Sequence, residues 1–510
     1  MTHQWFNHLC SNKMVTVLAF VLGSAVPLLH QPFNQMELSD GAILDYCAQT
    51  VVRGGIPYRD VVENRAPGSM YLSALAIVAG RSVGLRDLAA VRLLHILLTG
   101  LLAAVVFLLA QTYLLNRQAA LIALLLPLMT TSVVTAMVAG TQPKLTMVIF
   151  GMLSLLLMAK DRPLWSGFCS GLASLCWQPG LVFAGVGFLV FSHYFSRWRD
   201  RRALKLTLGA AIPFLILIVY FGSKGALGDL WTWTVLFNYR TYAPKTIRPD
   251  ALTNLWTVMC KTFGKDIVLV LMSLIGLLMY AVGRIRVRFR SGASDSWVSF
   301  RDAILIIPIA YLGFSLLHFQ GEDDSIPLLP FLGIFAGWFF AESARLLAMA
   351  RLGKHRLATT QVVKLLPLLA MLFVFLVICT RSLSYKLEPG WTLEDQDTEF
   401  KNISDLLGPN DKIYCHGSPE ILVLLNRQNL NPYINLTRGT DEYVDQHKPG
   451  GFRSVLADIE SQAPKIVYIS RLRNITYKLL IAQWIEDWVE KHYDPLPLEY
   501  RNMNVYLRRD

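Results

Sequence analysis

A chain of 510 residues in which 54% are hydrophobic and only 16% are charged falls well short of the roughly 25% charged content of soluble domains. A water-soluble globular enzyme is excluded, and a membrane protein is indicated. The net charge of +12 would suit nucleic acid, but its placement does not: Arg197, Arg199, Arg201, Arg202 and Lys205, then Arg284, Arg286, Arg288 and Arg290, then Arg345, Arg351, Lys354 and Arg356 each follow an apolar run. That is the pattern of short cytoplasmic loops, so no nucleic acid is expected as a partner and membrane lipids are.

In chain order, the first apolar run begins near Met14, after "MTHQWFNHLCSNK". It has no convincing small-residue cleavage site and reads as a retained anchor. Runs approaching about 20 apolar residues cross lipid as helices, because the backbone must bond within its own segment. With the arginine clusters inside, eleven crossings are expected, near 14–30, 90–113, 118–138, 143–159, 163–177, 178–195, 207–222, 266–283, 302–318, 326–343 and 363–382. By parity, 69–84 then lies along the interface or only dips in, although 163–177 is short enough to be the non-crossing segment instead. The N-terminus falls in the cytoplasm and 31–67 on the outer face, together with 140–144, 222–250 and 318–325.

Between the first two apolar regions stands "SDGAILDYCAQTVVRGGIPYRDVVENRAPG", Ser39 to Gly68. Ile43, Cys47 and Val51 recur at i, i+4 and i+8, Ser39 or Asp40 can cap, and Gly54-Gly55 stops the run, which predicts an amphipathic helix at the outer interface. Asp45, one turn on, is expected to be solvated. In the bland reading Asp40 is only a cap, and Glu63 and Arg65 form a surface pair worth less than about 1 kcal/mol. The functional reading brings Asp40, Asp60, Glu63 and Arg65 to one level beside the headgroups. There a carboxylate can take a proton from an acceptor hydroxyl, and a guanidinium can pair with a departing phosphate.

Farther along, Gln142 in "GTQPK" either hydrogen-bonds a sugar or is a loop amide. The connection 222–250 carries Lys224, Arg240, Lys245 and Arg248 against the charge bias, with Tyr239 and Tyr242 available for stacking on a sugar, contact with a prenyl chain or interface anchoring. His318 contacts phosphate or sugar, or caps its span. Glu322, Asp323 and Asp324 look like a metal-binding run, yet three adjacent carboxylates in a loop are expected to form a solvated face. The seven cysteines are scattered without ligand spacing, which argues for neither a zinc site nor a disulfide framework. From about residue 383 strands and helices alternate, predicting a small α/β domain over 383–510 on the outer face, beside a membrane domain over 1–382.

Asp40 after the first span, then "RGGIPYRDVVENRAPGSMYL" and a short apolar stretch, resembles the first outer loop of GT-C membrane glycosyltransferases. The nearer likeness is to the bacterial branch related to protein O-mannosyltransferases and to the lipid A aminoarabinose transferase. It extends through "SGFCSGLASLCWQPGLVF" (166–183), "HFQGEDDSIPLLPFLGIFAG" (318–337) and "DKIYCHGSPEILVLLNRQ". The resemblance implies a mainly helical polytopic bundle in a bacterial inner membrane, a polyprenyl-phosphate-linked sugar as donor, and an envelope glycan, lipid or protein as acceptor. It implies no resident cofactor and leaves a divalent metal open. Asp40 would be the catalytic base and Glu63 would help orient substrate. Arg65 stands where such proteins usually have lysine, Ala66 replaces a proline, and Trp177, beside Gln178, takes the place of another lysine. The rival reading is a transporter or flippase, against which charged residues deep within the spans are few.

Overall fold

The computed structural model describes residues 12–37, 39–192, 201–242, 249–291, 299–317, 319, 321–350, 391–417, 419–434, 439–469, 482–497 and 504–509, with a few positions between 369 and 383. Among these, five helices are long and apolar enough to cross a membrane: Lys13–Asn34, Asp87–Leu114, Arg202–Ser223, Ile267–Val287 and Asp323–Leu346. A sixth is broken. Pro127 lacks the N–H that would continue Arg117–Leu128, and the chain resumes as Thr131–Val138 after a bend of 73°. The protein is a multi-pass membrane helical bundle.

The remaining helices of the bundle are shorter. Gly68–Ser82 has 15 residues, Pro143–Ala159 has 17, Pro163–Cys176 has 14 and Phe300–Ser315 has 16. At 1.5 Å per residue these cover about 21–26 Å, short of a hydrocarbon core of about 30 Å. The two segments that the parity argument separated, 69–84 and 163–177, are therefore alike in length. The expected span 363–382 lies mostly outside the described residues.

Small residues bring the short helices close. "SGFCSG" places Gly167 and Gly171 on one face of Pro163–Cys176, against Arg202–Ser223. A Cβ on Gly167 would collide with the Leu206 carbonyl, and one on Gly209 with the Leu164 carbonyl. Backbone-to-backbone contact of this kind is how membrane helices associate where lipid removes the hydrophobic incentive.

The C-terminal region forms a four-stranded sheet, β1 (Ile413–His416), β2 (Ile466–Ile469), β3 (Tyr493–Leu496) and β4 (Asn504–Arg508), in the order β1-β2-β4-β3. β1 and β2 are parallel with Cys415 opposite Tyr468, and the other pairs are antiparallel. Every residue of β1 and β2 is buried, as expected of a parallel pair covered on both faces. Alternate residues face different partners. Tyr414, Val467 and Ile469 pack with Tyr58, Phe221, Trp233 and Phe237, whereas Cys415, Ile466 and Tyr468 pack with Ile43, Tyr46 and Phe400. The sheet is thus seated on the end of the bundle that carries Asp40. Val62 donates to the Pro432 carbonyl at 2.8 Å, and the Gln396 amide spans the Glu37 backbone at 2.9 and 3.0 Å.

Candidate active site

Asp40 lies in the first turn of the helix Ser39–Val52, where the unpaired N–H groups favour a negative charge. The expected amphipathic interfacial helix is instead enclosed by protein: all nine residues of 42–50 are buried. The physical reason is that neighbours from distant parts of the chain cover the side that the sequence pattern assigns to solvent: Thr141 meets Asp45, and Asp87 and the Val423 carbonyl meet Gln49. Asp45 is accordingly 2% exposed rather than solvated, and its Oδ1 accepts the Thr141 N–H at 3.1 Å and the Thr141 hydroxyl.

The helix ends as predicted, with Gly54 at φ +88. "IPYRDV" then folds into a tight turn. The Ile56 N–H donates to Asp60 Oδ2 at 2.7 Å, the Asp60 N–H to the Ile56 carbonyl at 2.9 Å, and the Tyr58 N–H to the Val61 carbonyl at 2.7 Å. Tyr58 has φ +73, a conformation costing on the order of 1–3 kcal/mol that persists only where the surroundings impose it. They do so here. Its ring is buried 5.7 Å from that of Phe221, and its hydroxyl donates to the Arg65 carbonyl at 2.8 Å.

That bond sets the backbone of Arg65, whose side chain joins two carboxylates in different surroundings. Nη2 is 3.1 Å from Asp40 Oδ2, and Nε is 3.7 Å from Glu63 Oε1. The Asp40 side chain is 66% exposed and that of Glu63 only 3%, so Glu63 anchors the guanidinium from inside while Asp40 meets it at the surface. Glu63 also accepts the Arg65 N–H at 3.2 Å. The loop is held from above: Gln178 Nε2 donates to the Asn64 carbonyl at 2.9 Å, as does Asn238 Nδ2 at 2.8 Å. Asp60 is not part of this set. It closes its own turn and pairs with Arg59 at 3.1 Å. Burial pushes its carboxyl upward, but hydrogen bonds from Arg59 and the Ile56 N–H bring it below the ordinary carboxylate range.

A second group comes in from 140–144 and 322–324. Gln142 caps the helix Pro143–Ala159 by accepting the Lys144 N–H at 3.3 Å, donates its own N–H to His95 Nε2 at 3.0 Å, and hydrogen-bonds the Asp323 carboxylate. Asp323 in turn feels the charges of Lys144 and Asp40. Asp324 is buried and 2.7 Å from Lys144 Nζ, so it does not belong to the solvated face expected of this run, and the side chain of Glu322 lies outside the described residues. Lys144 Nζ also stands 5.2 Å over the ring of Trp177. Among the described residues no three His, Cys, Asp or Glu side chains converge as a metal site would require.

The aromatic connection is tied to the C-terminal region. Trp233 and Phe237 pack on Tyr443 with centroids 5.6 and 5.4 Å apart, and Arg240 Nη1 donates to His447 Nε2 at 3.3 Å. Tyr239 remains exposed. His318 and the side chain of Tyr242 lie outside the described residues. Sequence reasoning passed over Tyr58, Lys144 and Asn238; only the "PYRD" spacing and the proline after Gln142 mark any of them in advance.

No protein-family model matches the chain, and no curated protein sequence matches it. Solved structures do. ArnT from Cupriavidus metallidurans in the apo state aligns with a TM-score of 0.63 at 14% identity over 97% of this chain and 98% of that one. The same protein bound to undecaprenyl phosphate aligns at 0.62 and 12% identity over 96% and 97%. The oligosaccharyltransferase AglB from Archaeoglobus fulgidus, in complex with an inhibitory peptide and a dolichol-phosphate, aligns at 0.57 and 13% identity over 98% of this chain and 74% of that one. At such identities the likeness is one of architecture, and nearly the whole chain has the fold of these membrane proteins.

Proposed function

We propose that the protein is a glycosyltransferase that moves a hexose or pentose from a polyprenyl phosphate to an acceptor hydroxyl on an envelope glycan, lipid or protein, at the outer face of a bacterial inner membrane. In this reading the N-terminus is cytoplasmic, residues 1–382 carry the chemistry and residues 383–510 cover it from outside. The observation that carries it is the Arg65 guanidinium held between buried Glu63 and exposed Asp40 on a fold whose solved examples include proteins bound to undecaprenyl phosphate and dolichol-phosphate.

Asp40 takes the proton from the acceptor hydroxyl as its oxygen attacks the anomeric carbon. The bond from that carbon to the phosphate oxygen breaks, and the electron pair leaves with the prenyl phosphate. Most of the phosphate charge exists before reaction, so positioning and proton removal supply the larger part of the acceleration. Arg65 meets the phosphate with paired N–H donors. Glu63 fixes the guanidinium plane, Asp60 fixes the turn that delivers it, and Lys144 adds a second cation over Trp177. Gln142, His318 and Tyr242 are assigned to sugar and headgroup contacts.

The test is Asp40→Asn in whole cells. A loss of about 10²–10⁴ in transfer rate is expected from removal of a general base, seen as a prenyl-phosphate sugar that accumulates in the lipid extract while a surface glycan loses one residue. An unchanged glycan with altered solute uptake would instead identify a transporter.

A further inference from the structure

Beneath Asp40 lies a second set of charges that the chemistry above does not use. Arg92 and Glu37 are 0% exposed, and Asp45 is 2% exposed. Arg92 Nε donates to the Ala139 carbonyl at 2.6 Å, Nη1 to the carbonyls of Pro32 and Gln35 at 2.7 Å each, and Nη2 to the Met36 carbonyl at 3.3 Å and Glu37 Oε2 at 3.1 Å. One guanidinium therefore ties the chain before Asp40 to the segment before Gln142. With Oε2 of Glu37 on Arg92 and Oδ1 of Asp45 on Thr141, one buried oxygen of each carboxyl has no donor from any other group, Glu37 Oε1 and Asp45 Oδ2. Both converge on Gly140, where a Cβ would stand 3.4 Å from the first and 3.0 Å from the second.

Two carboxylates this close in a dry site do not both ionise at neutral pH, and a buried acceptor without a donor is destabilising. A single proton between them satisfies both oxygens, and it leaves one negative charge against Arg92. Gly140 and Gly41 make the approach feasible: the Cβ that Gly140 lacks would lie 3.4 Å from the α-carbon of Gly41, the residue that follows Asp40.

We propose that Glu37 carries a proton on Oε1 and donates it to Asp45 Oδ2, and that this hydrogen bond, by seating Gly41 against Gly140, positions Asp40 relative to Gln142. The consequence for catalysis rests on the reading of Asp40 as base. Burial, with the charge of Asp45 second, holds the Glu37 carboxyl well above its usual range. Burial also pushes Asp45 up to about 6 against the hydrogen bond from Thr141. The groups facing the pair are Arg92 and His95 from the helix Asp87–Leu114, Thr141 from the segment before Gln142, and Glu420, whose charge acts on Glu37 from the C-terminal region. Glu63 and Arg65, from the loop that follows the helix Ser39–Val52, act on Cys47, as Asp45 does, rather than on Glu37. When the proton leaves for water at alkaline pH, the set changes from neutral to net negative, and the two carboxylates repel each other across Gly140.

Glu37 and Asp45 are positioning residues, so the decisive readout is a pH profile. Glu37→Gln keeps a donor to Asp45 and an acceptor for Arg92 but cannot lose a proton. It is expected to transfer sugar within about twofold of the parent rate at neutral pH while the alkaline limb of the rate profile disappears. Asp45→Asn, whose amide donates in the opposite direction, should lose the same limb. An alkaline limb unchanged in Glu37→Gln overturns the positioning role. Infrared difference spectra of the purified protein test the proton without any transfer assay: a protonated carboxyl band at neutral pH, bleached by alkali and missing from both variants, is expected. Its absence from the parent protein overturns the shared proton. If the parent shows the band but transfers no sugar, the assignment of Asp40 as base fails while the proton pair stands.

Discussion

Two sets of charges face each other across the helix Ser39–Val52, and they use the same residue types to opposite ends. At the mouth, Arg65 joins Asp40, 66% exposed, to Glu63, 3% exposed. One turn below, Arg92 and Glu37 are sealed at 0% exposure, with Asp45 beside them. Water at the mouth screens the pair and lets substrate exchange with it. In the sealed set, desolvation outweighs attraction unless every donor and acceptor is matched, so Arg92 spends its donors on four backbone carbonyls and one carboxyl. The upper set is built to be interrupted and the lower one is not.

The contrast is broken most severely at Arg92. Arg92→Met leaves buried carboxyls without their counter-charge and five acceptors without a donor, and a loss of about 3–5 kcal/mol of stability is expected, measured as a fall in thermal unfolding midpoint in detergent. At the mouth the cost should fall on rate instead. Arg65→Ala is expected to lower transfer by about 10²–10³ and to lower the unfolding midpoint less than Arg92→Met does, because only Glu63 is left buried without its counter-charge, while Arg65→Lys keeps charge but not the paired donors and loses less. An Arg65→Ala protein that unfolds early but transfers normally would reverse the contrast.

Acidity sharpens it further. A carboxyl raised by folding keeps its proton longer in the folded than in the unfolded state, so its contribution is complete at acid pH and is lost as pH climbs from the usual carboxylate range through the folded value. For Asp45 that window ends at about 6, and every tenfold difference in acidity between the folded and unfolded states is worth about 1.4 kcal/mol. Stability of the parent protein should therefore decline between mildly acid and neutral pH, and Asp45→Asn should flatten that decline. Tyr58→Phe, which removes the bond to the Arg65 carbonyl, is expected to cost about 0.5–1.5 kcal/mol, visible as slower transfer with unchanged donor binding. Arg59→Ala, at an exposed pair, should change neither midpoint nor rate.

How much of this was legible in advance differs from residue to residue. The turn "IPYRDV" could be located by its proline and the glycines before it, because turn chemistry is local. That Tyr58 would take a left-handed backbone and reach Arg65 was not legible, since Phe221, which holds its ring, is far away in sequence. The three adjacent carboxylates of 322–324 read as solvated because nothing near them in sequence is basic. Lys144, which neutralises Asp324, arrives from another helix. Asp45 read as solvated for the same reason: Thr141 is its partner, 96 residues away.

The chain's own residues were enough to determine that it lives in a membrane, that its fold is a helical bundle with a small sheet near the C-terminus, and that Asp40, Glu63 and Arg65 belong to one loop. Those features follow from apolar run length, backbone satisfaction in lipid and short-range turn chemistry, none of which needs a distant partner. Only the tertiary structure decided which carboxylates meet water and which are sealed. That choice depends on distant segments that close over the helix Ser39–Val52, with Thr141 on Asp45 and Arg92 on Glu37, and on glycines that let separate segments touch, and desolvation then gives chemically identical side chains different protonation and different work.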